Sequence, residues 1–181
     1  MHRRELLRLL GSAVTLPALA GMSPERLLVL GQGAHARGSP AGSLPAGASE
    51  LIATMAELIL PETDTPGAGT VGVPAFIGLM VADWMKEEER RQFLAGLDQI
   101  DQMSRDAGGP SFLALPPAQQ VQLMSRLDRS TGAEGSAEGS YATLKSLTVY
   151  GYFTSEPIVT RVLKTPMIPG HYDGAAPLHA H

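Results

Sequence analysis

A chain of 181 residues with a formal charge of −4 is long enough for one domain with extensions and a single modest core. The negative balance leaves no basic face to neutralise phosphates, which argues against a nucleic-acid binder. The absence of cysteine excludes disulfides, thiolate metal sites, covalent haem attachment and a thiol nucleophile, and an aromatic share of only 5% leaves the core to Leu, Ile, Val, Met and Ala.

The chain opens His2-Arg3-Arg4-Glu5-Leu6-Leu7-Arg8 and continues through a mildly apolar run to Ala18-Leu19-Ala20. That run is too short and too rich in Gly, Ser and Thr for a transmembrane helix, which needs about twenty apolar residues. It fits the apolar region of a signal peptide, about 7–15 residues long. Arg3 and Arg4 ahead of Leu6 and Leu7 resemble the twin-arginine signal that addresses folded proteins to the bacterial export pore, with Ala18 and Ala20 as the small-residue cleavage site. The alternative is a basic amphipathic helix that simply begins the protein. Cleavage after Ala20 would lower the basic count from 14 to 11 and the acidic count from 18 to 17, for a net charge of −6. Export in the folded state suits a protein that must bind something first. Yet the chain has no glycine fingerprint after a strand, no phosphate loop and no haem-binding cysteine, so a partner is expected to carry the cofactor.

Residues 1–20 are therefore set aside, and 21–48, composed from residue 31 onward of little but Gly, Ala, Ser, Pro and Gln, read as a flexible linker. The folded region is expected over 49–181. Ser49 is placed to cap a helix whose inner face is Leu51, Ile52, Met55, Leu58 and Ile59. Pro61 stops it, since proline cannot donate the next helical bond, and Pro74 starts a second helix, where the first N–H groups are unpaired anyway. Between them lies a long polar loop containing Thr63, Asp64, Thr65, Pro66 and several glycines, a length that usually has a purpose of its own. Phe76, Ile77, Met80, Val81 and Trp84 form the apolar stripe of the second helix, with Trp84 as a core anchor. Lys86-Glu87-Glu88-Glu89-Arg90-Arg91 reads as a solvated helix start, followed by an inner stripe of Phe93, Leu97, Ile100 and Met103 and a stop at Gly108-Gly109. Pro116-Pro117 begins a further helix with Val121, Met124 and Leu127 inward. Residues 128–140 read as a surface loop of low complexity. A helix resumes at Tyr141 with Leu144, Leu147 and Thr148 on one face and breaks at Gly151. Ser155 caps a short final helix with Ile158, Val162 and Leu163. From about 165 a tail rich in Pro, Gly and Ala is expected to lie extended. No strand alternation occurs, so the fold class is all-α: a small irregular domain of about five or six short helices with long loops.

Four stretches carry a family resemblance: Leu60-Pro61-Glu62-Thr63-Asp64-Thr65-Pro66-Gly67-Ala68, Val73-Pro74-Ala75-Phe76, Gly151-Tyr152-Phe153-Thr154-Ser155-Glu156 and Pro169-Gly170-His171-Tyr172-Asp173-Gly174. Each is weak alone, but the four in this order resemble the gluconate 2-dehydrogenase subunit 3 family over roughly residues 51–178, together with the leader. The resemblance implies a small, non-catalytic subunit of a periplasmic sugar or sugar-acid dehydrogenase. The implied partner is a flavoprotein of the glucose–methanol–choline class holding FAD, often accompanied by a membrane-bound multihaem cytochrome c with haem c. The partner typically lacks a signal of its own and crosses with the small subunit's twin arginine, so no cofactor is expected in this chain. Three departures stand out. Pro116-Pro117 replaces a Ser-Pro cap, a glycine-rich insert occupies 132–139, and without cysteine any association must be non-covalent.

The candidate partner interface is Pro61, Glu62, Asp64, Tyr150, Tyr152, Phe153, His171 and Tyr172. Glu62 and Asp64 could also be metal ligands or an acid–base pair, but two loop carboxylates are more often turn formers. His171, His179 and His181 could hold zinc, although the last two sit at the terminus. Tyr150, Tyr152 and Phe153 divide evenly between core and interface roles. No catalytic, cofactor or metal site is assigned. The competing functional reading is a stand-alone periplasmic protein that binds a metal or a small molecule.

Overall fold

The computed structural model describes residues 44–106 and 108–164. Among them are five α-helices, α1 Ala46–Ile59, α2 Val73–Leu79, α3 Glu87–Asp106, α4 Pro117–Arg129 and α5 Ala137–Thr154, with π-helical turns at Met80–Trp84 and Ile158–Val162. No described residue lies in a strand, and no described helix is long and apolar enough to cross a membrane. The all-α expectation holds. The leader and linker up to residue 43 and the tail from 165 lie outside the described residues, and with them Arg3, Arg4, Leu6, Leu7, Ala18, Ala20, His171, Tyr172, His179 and His181.

The boundaries follow local chemistry. Leu60 donates the last α1 bond to Ala56 O at 3.0 Å, and Pro61 ends the series. Pro74 sits in the first turn of α2, behind Gly72 in the left-handed conformation at φ 82°. The α3 start is tied by Lys86 N–H donating to Glu89 Oε2 at 3.2 Å. Its solvated face carries Arg90–Glu87 and Arg91–Glu88 ion pairs. The α3 end is a Schellman stop, in which Gly109 N donates to Ser104 O and Gly108 N to Arg105 O while Gly108 takes φ 88°. The α4 N-terminus at Pro116-Pro117 has no side-chain cap, as its sequence implies.

α5 is the centre of the fold. The helices α1, α2, α3 and α4 and the second π-helical turn all pack on it, and twelve of its eighteen residues are buried. A helix covered over most of its circumference shows no clean one-sided stripe. Two of its buried hydroxyls bond within the helix, Thr148 Oγ1 donating to Leu144 O at 2.8 Å and Thr154 Oγ1 to Tyr150 O at 2.9 Å, while Ser140 Oγ donates across to Gln92 O of α3 at 3.5 Å. No described buried side-chain nitrogen or oxygen lacks a hydrogen bond. Gln99 of α3 grips the N-terminus of α5, with Nε2 donating to Gly135 O at 3.0 Å and Oε1 accepting from Ala137 N at 3.2 Å. The fully buried core links Ile52 and Met55 of α1, Phe76 and Ile77 of α2, Leu97 and Ile100 of α3, Leu144 and Leu147 of α5, and Ile158.

Six expectations are corrected. Ser155 does not cap the last turn: its Oγ donates back to Tyr152 O at 2.7 Å, and the turn Ile158–Val162 has no side-chain cap. α1 starts at Ala46, so Ser49 is inside its first turn, donating to Pro45 O, and is not a cap. Residues 128–140 are not one loop. α4 continues to Arg129, and α5 begins at Ala137 with Ser136 Oγ accepting from Gly139 N at 3.1 Å, a cap hidden among glycines and serines. Gly151 does not break α5, because its missing Cβ lets the Phe76 ring lie on the helix backbone; a Cβ there would stand 2.6 Å from Phe76 Cδ1. Val121 is 49% exposed and Val162 38% exposed; the inward positions of α4 are Gln120, Leu123, Met124 and Leu127. Trp84, finally, is 39% exposed and not a core anchor. Met80–Trp84 is a π-helical turn closed by Met85 N donating to Met80 O. Each such turn takes one residue more than an α-turn, so Trp84 lags by roughly one residue's rotation, about 100°, and leaves the stripe of Phe76, Ile77, Met80 and Val81.

Two measurements check this packing. A Cβ at Gly96 would stand 2.0 Å from Ser140 Oγ and 2.5 Å from the Ser136 carbonyl oxygen, where α3 meets α5. Gly96→Ala should therefore lose at least about 1 kcal/mol in urea unfolding despite alanine's better helix propensity. Gly47→Ala, with open space around it, should be neutral or gain up to about 1 kcal/mol. An unchanged midpoint for Gly96→Ala would contradict the close α3–α5 contact. Trp84 is the chain's one tryptophan, so acrylamide should quench the native fluorescence readily. Trp84→Ala should cost about 1 kcal/mol or less, against about 3–5 kcal/mol for Phe76→Ala.

Candidate functional site

The loop from 60 to 72, which joins α1 to α2, is closed at its base by Ala68 N donating to Leu60 O at 2.9 Å. Val71 N to Gly67 O, Gly72 N to Gly69 O and Val73 N to Ala68 O carry the chain back into α2, and Ala68 and Val71 plug the loop's underside into the core. Most of its backbone polarity is thereby spent internally, as a surface loop that holds one shape requires.

Glu57, in the last turn of α1, pins the loop. Its Oε2 accepts from Gly69 N at 2.8 Å and its Oε1 from Glu62 N at 3.2 Å, so one carboxylate holds both limbs. Gly67 passes so close that a Cβ would fall 2.2 Å from Glu57 Oε1, which is the local reason for a glycine there. The exposed tip is Pro61-Glu62-Thr63-Asp64. Thr70 Oγ1 donates to Glu62 Oε2 at 3.3 Å and Thr63 Oγ1 to Asp64 Oδ1 at 3.0 Å, so both carboxylates accept hydrogen bonds from within the loop. Among the described residues no three His, Cys, Asp or Glu side chains are grouped to hold a metal.

The loop is held from below by α5. Tyr152 donates its hydroxyl to Pro66 O at 2.8 Å and reaches Thr65 Oγ1 at 3.3 Å. Its ring is buried and meets Phe153 edge to face at 5.3 Å. Tyr150, half-buried, tilts against Phe76 with ring centres 5.7 Å apart. The structure therefore joins Glu62 and Asp64 to Tyr152 through one hydrogen-bonded loop. Tyr152 and Phe153 present little surface, whereas Pro61, Glu62 and Asp64 are exposed. Glu57 belongs to none of the motifs that stand out in the sequence. The signal for it was a lone carboxylate in the last turn of an apolar helix, just ahead of a glycine-rich loop full of unpaired N–H donors.

Burial pushes the Tyr150 phenol up to about 12. Tyr141, at the start of α5, is likewise raised to about 12, first by burial and then by the negative charge of Asp128, which also pairs with Lys145.

Glu57→Ala leaves two backbone donors without their acceptor and should cost about 1–3 kcal/mol, with faster amide exchange at Glu62 and Gly69 than elsewhere. Tyr152→Phe keeps the ring and removes only the hydroxyl bonds, for about 0.5–1.5 kcal/mol and faster exchange in the loop. Exchange in 62–69 that is unchanged by both substitutions would show that neither side chain holds the loop. Because Tyr141 and Tyr150 bind their protons more tightly when folded than the ordinary value near 10, their contribution is fully present below about pH 10. It is lost as pH rises toward about 12. Unfolding midpoints followed by circular dichroism should fall across that window, and less so in the double Tyr→Phe variant.

The gluconate 2-dehydrogenase subunit 3 family model matches residues 46–170, well over half of the chain, beginning at the first residue of α1 and spanning every described helix. No curated protein and no solved structure matches the chain. With the helices, the pinned loop and the α5 aromatic residues all inside that one match, the chain belongs to the gluconate 2-dehydrogenase subunit 3 family.

Proposed function

We propose that this chain is a non-catalytic accessory subunit of a periplasmic FAD-dependent dehydrogenase of the glucose–methanol–choline class, and that it stabilises the flavoprotein and exports it in trans. The observation that carries the reading is membership of the subunit 3 family over residues 46–170. The leader residues Arg3, Arg4, Leu6 and Leu7 support the export half, because a twin-arginine address suits a passenger that has already folded around its cofactor. Ala18 and Ala20 would mark the cleavage point. With no cysteine, the chain cannot attach a haem c covalently, so any haem c belongs to a partner chain, a membrane-bound cytochrome, while FAD in this reading sits in the flavoprotein.

The docking element in this reading is the exposed tip Pro61-Glu62-Thr63-Asp64. Glu57 and Tyr152 hold it in one shape before any partner arrives, so less loop entropy is lost on association. Tyr152, packed against Phe153, supports that surface from α5, while Tyr150 packs on Phe76; His171 and Tyr172 lie outside the described residues and stand as candidates from the sequence alone. Binding is non-covalent and rests on buried area and shape.

The test is a pull-down of the tagged mature chain from the periplasm, followed by an absorbance spectrum, paired with Arg3→Lys/Arg4→Lys in the full chain. The expected outcome is a larger chain with a flavin spectrum from the unaltered protein, and retention of both chains in the cytoplasm for the double variant. A flavoprotein that reaches the periplasm regardless would overturn export in trans. A colourless chain recovered alone would overturn the accessory role and favour a stand-alone binding protein.

A further inference from the structure

We draw no further inference here: the strongest candidate, the apolar surface patch of Trp84 and the half-buried Met85 where the π-helical turn Met80–Trp84 runs into α3, carries nothing because nothing in the structure shows what covers it.

Discussion

The contact on which the fold depends is the Phe76 ring lying against the backbone of α5 at Gly151. Phe76 is fully buried, and burying a phenylalanine contributes about 1.5–3 kcal/mol before its packing contacts are counted. The position has further consequences. It brings α2 close enough to α5 for Tyr150 to tilt against the same ring. Two residues beyond Tyr150, Tyr152 then comes under the loop that precedes α2. A side chain at residue 151 would push α2 outward and carry the loop away from its hydroxyl support. Glycine in mid-helix costs about 1 kcal/mol relative to alanine, and here that cost is offset by close packing.

The second constraint is the distribution of polar groups around a loop that must stay on the surface. Thirteen residues between two helices expose many N–H and C=O groups, and water would satisfy them in many conformations equally well. Glu57 removes that degeneracy by accepting from two N–H groups seven residues apart, and Tyr152 removes more by donating to Pro66. Local turns alone would not select one shape. The two long-range side chains convert a flexible connection into a surface that a partner can meet preformed, which links the core to the proposed role of the chain.

Much of this architecture was legible in the chain. Pro61, Pro74, Pro116-Pro117 and Gly108-Gly109 mark boundaries that the structure keeps, because proline's missing N–H and glycine's access to positive φ act within one turn. The stripes of α1 and α3 were readable for a related reason: each of these helices has one wet face, so burial repeats with the helical period. α5 was not readable in the same way. Its apolar positions from Tyr141 on follow the helical period, but its first turn, where Ser136 and Ser140 sit among glycines, looks like a loop until the Ser136 cap on Gly139 is seen. Gly151 looked like a helix end for the same reason, since a glycine in sequence does not reveal whether the space beside it is solvent or a phenyl ring.

By itself, then, the sequence determined the helical class, most of the proline- and glycine-made boundaries, the inner faces of the one-sided helices, the absence of thiol chemistry and the leader pattern. These depend on residues within a turn of one another or on composition alone. Only the tertiary structure decided that Trp84 turns outward, because a single π-helical turn rotates everything after it. It alone decided that Glu57 is the pin of the loop and that Tyr152 serves core and loop at once. Those roles depend on atoms brought together across 12 residues from Glu57 to Gly69 and 86 from Tyr152 to Pro66, outside any helical period that sequence spacing can show.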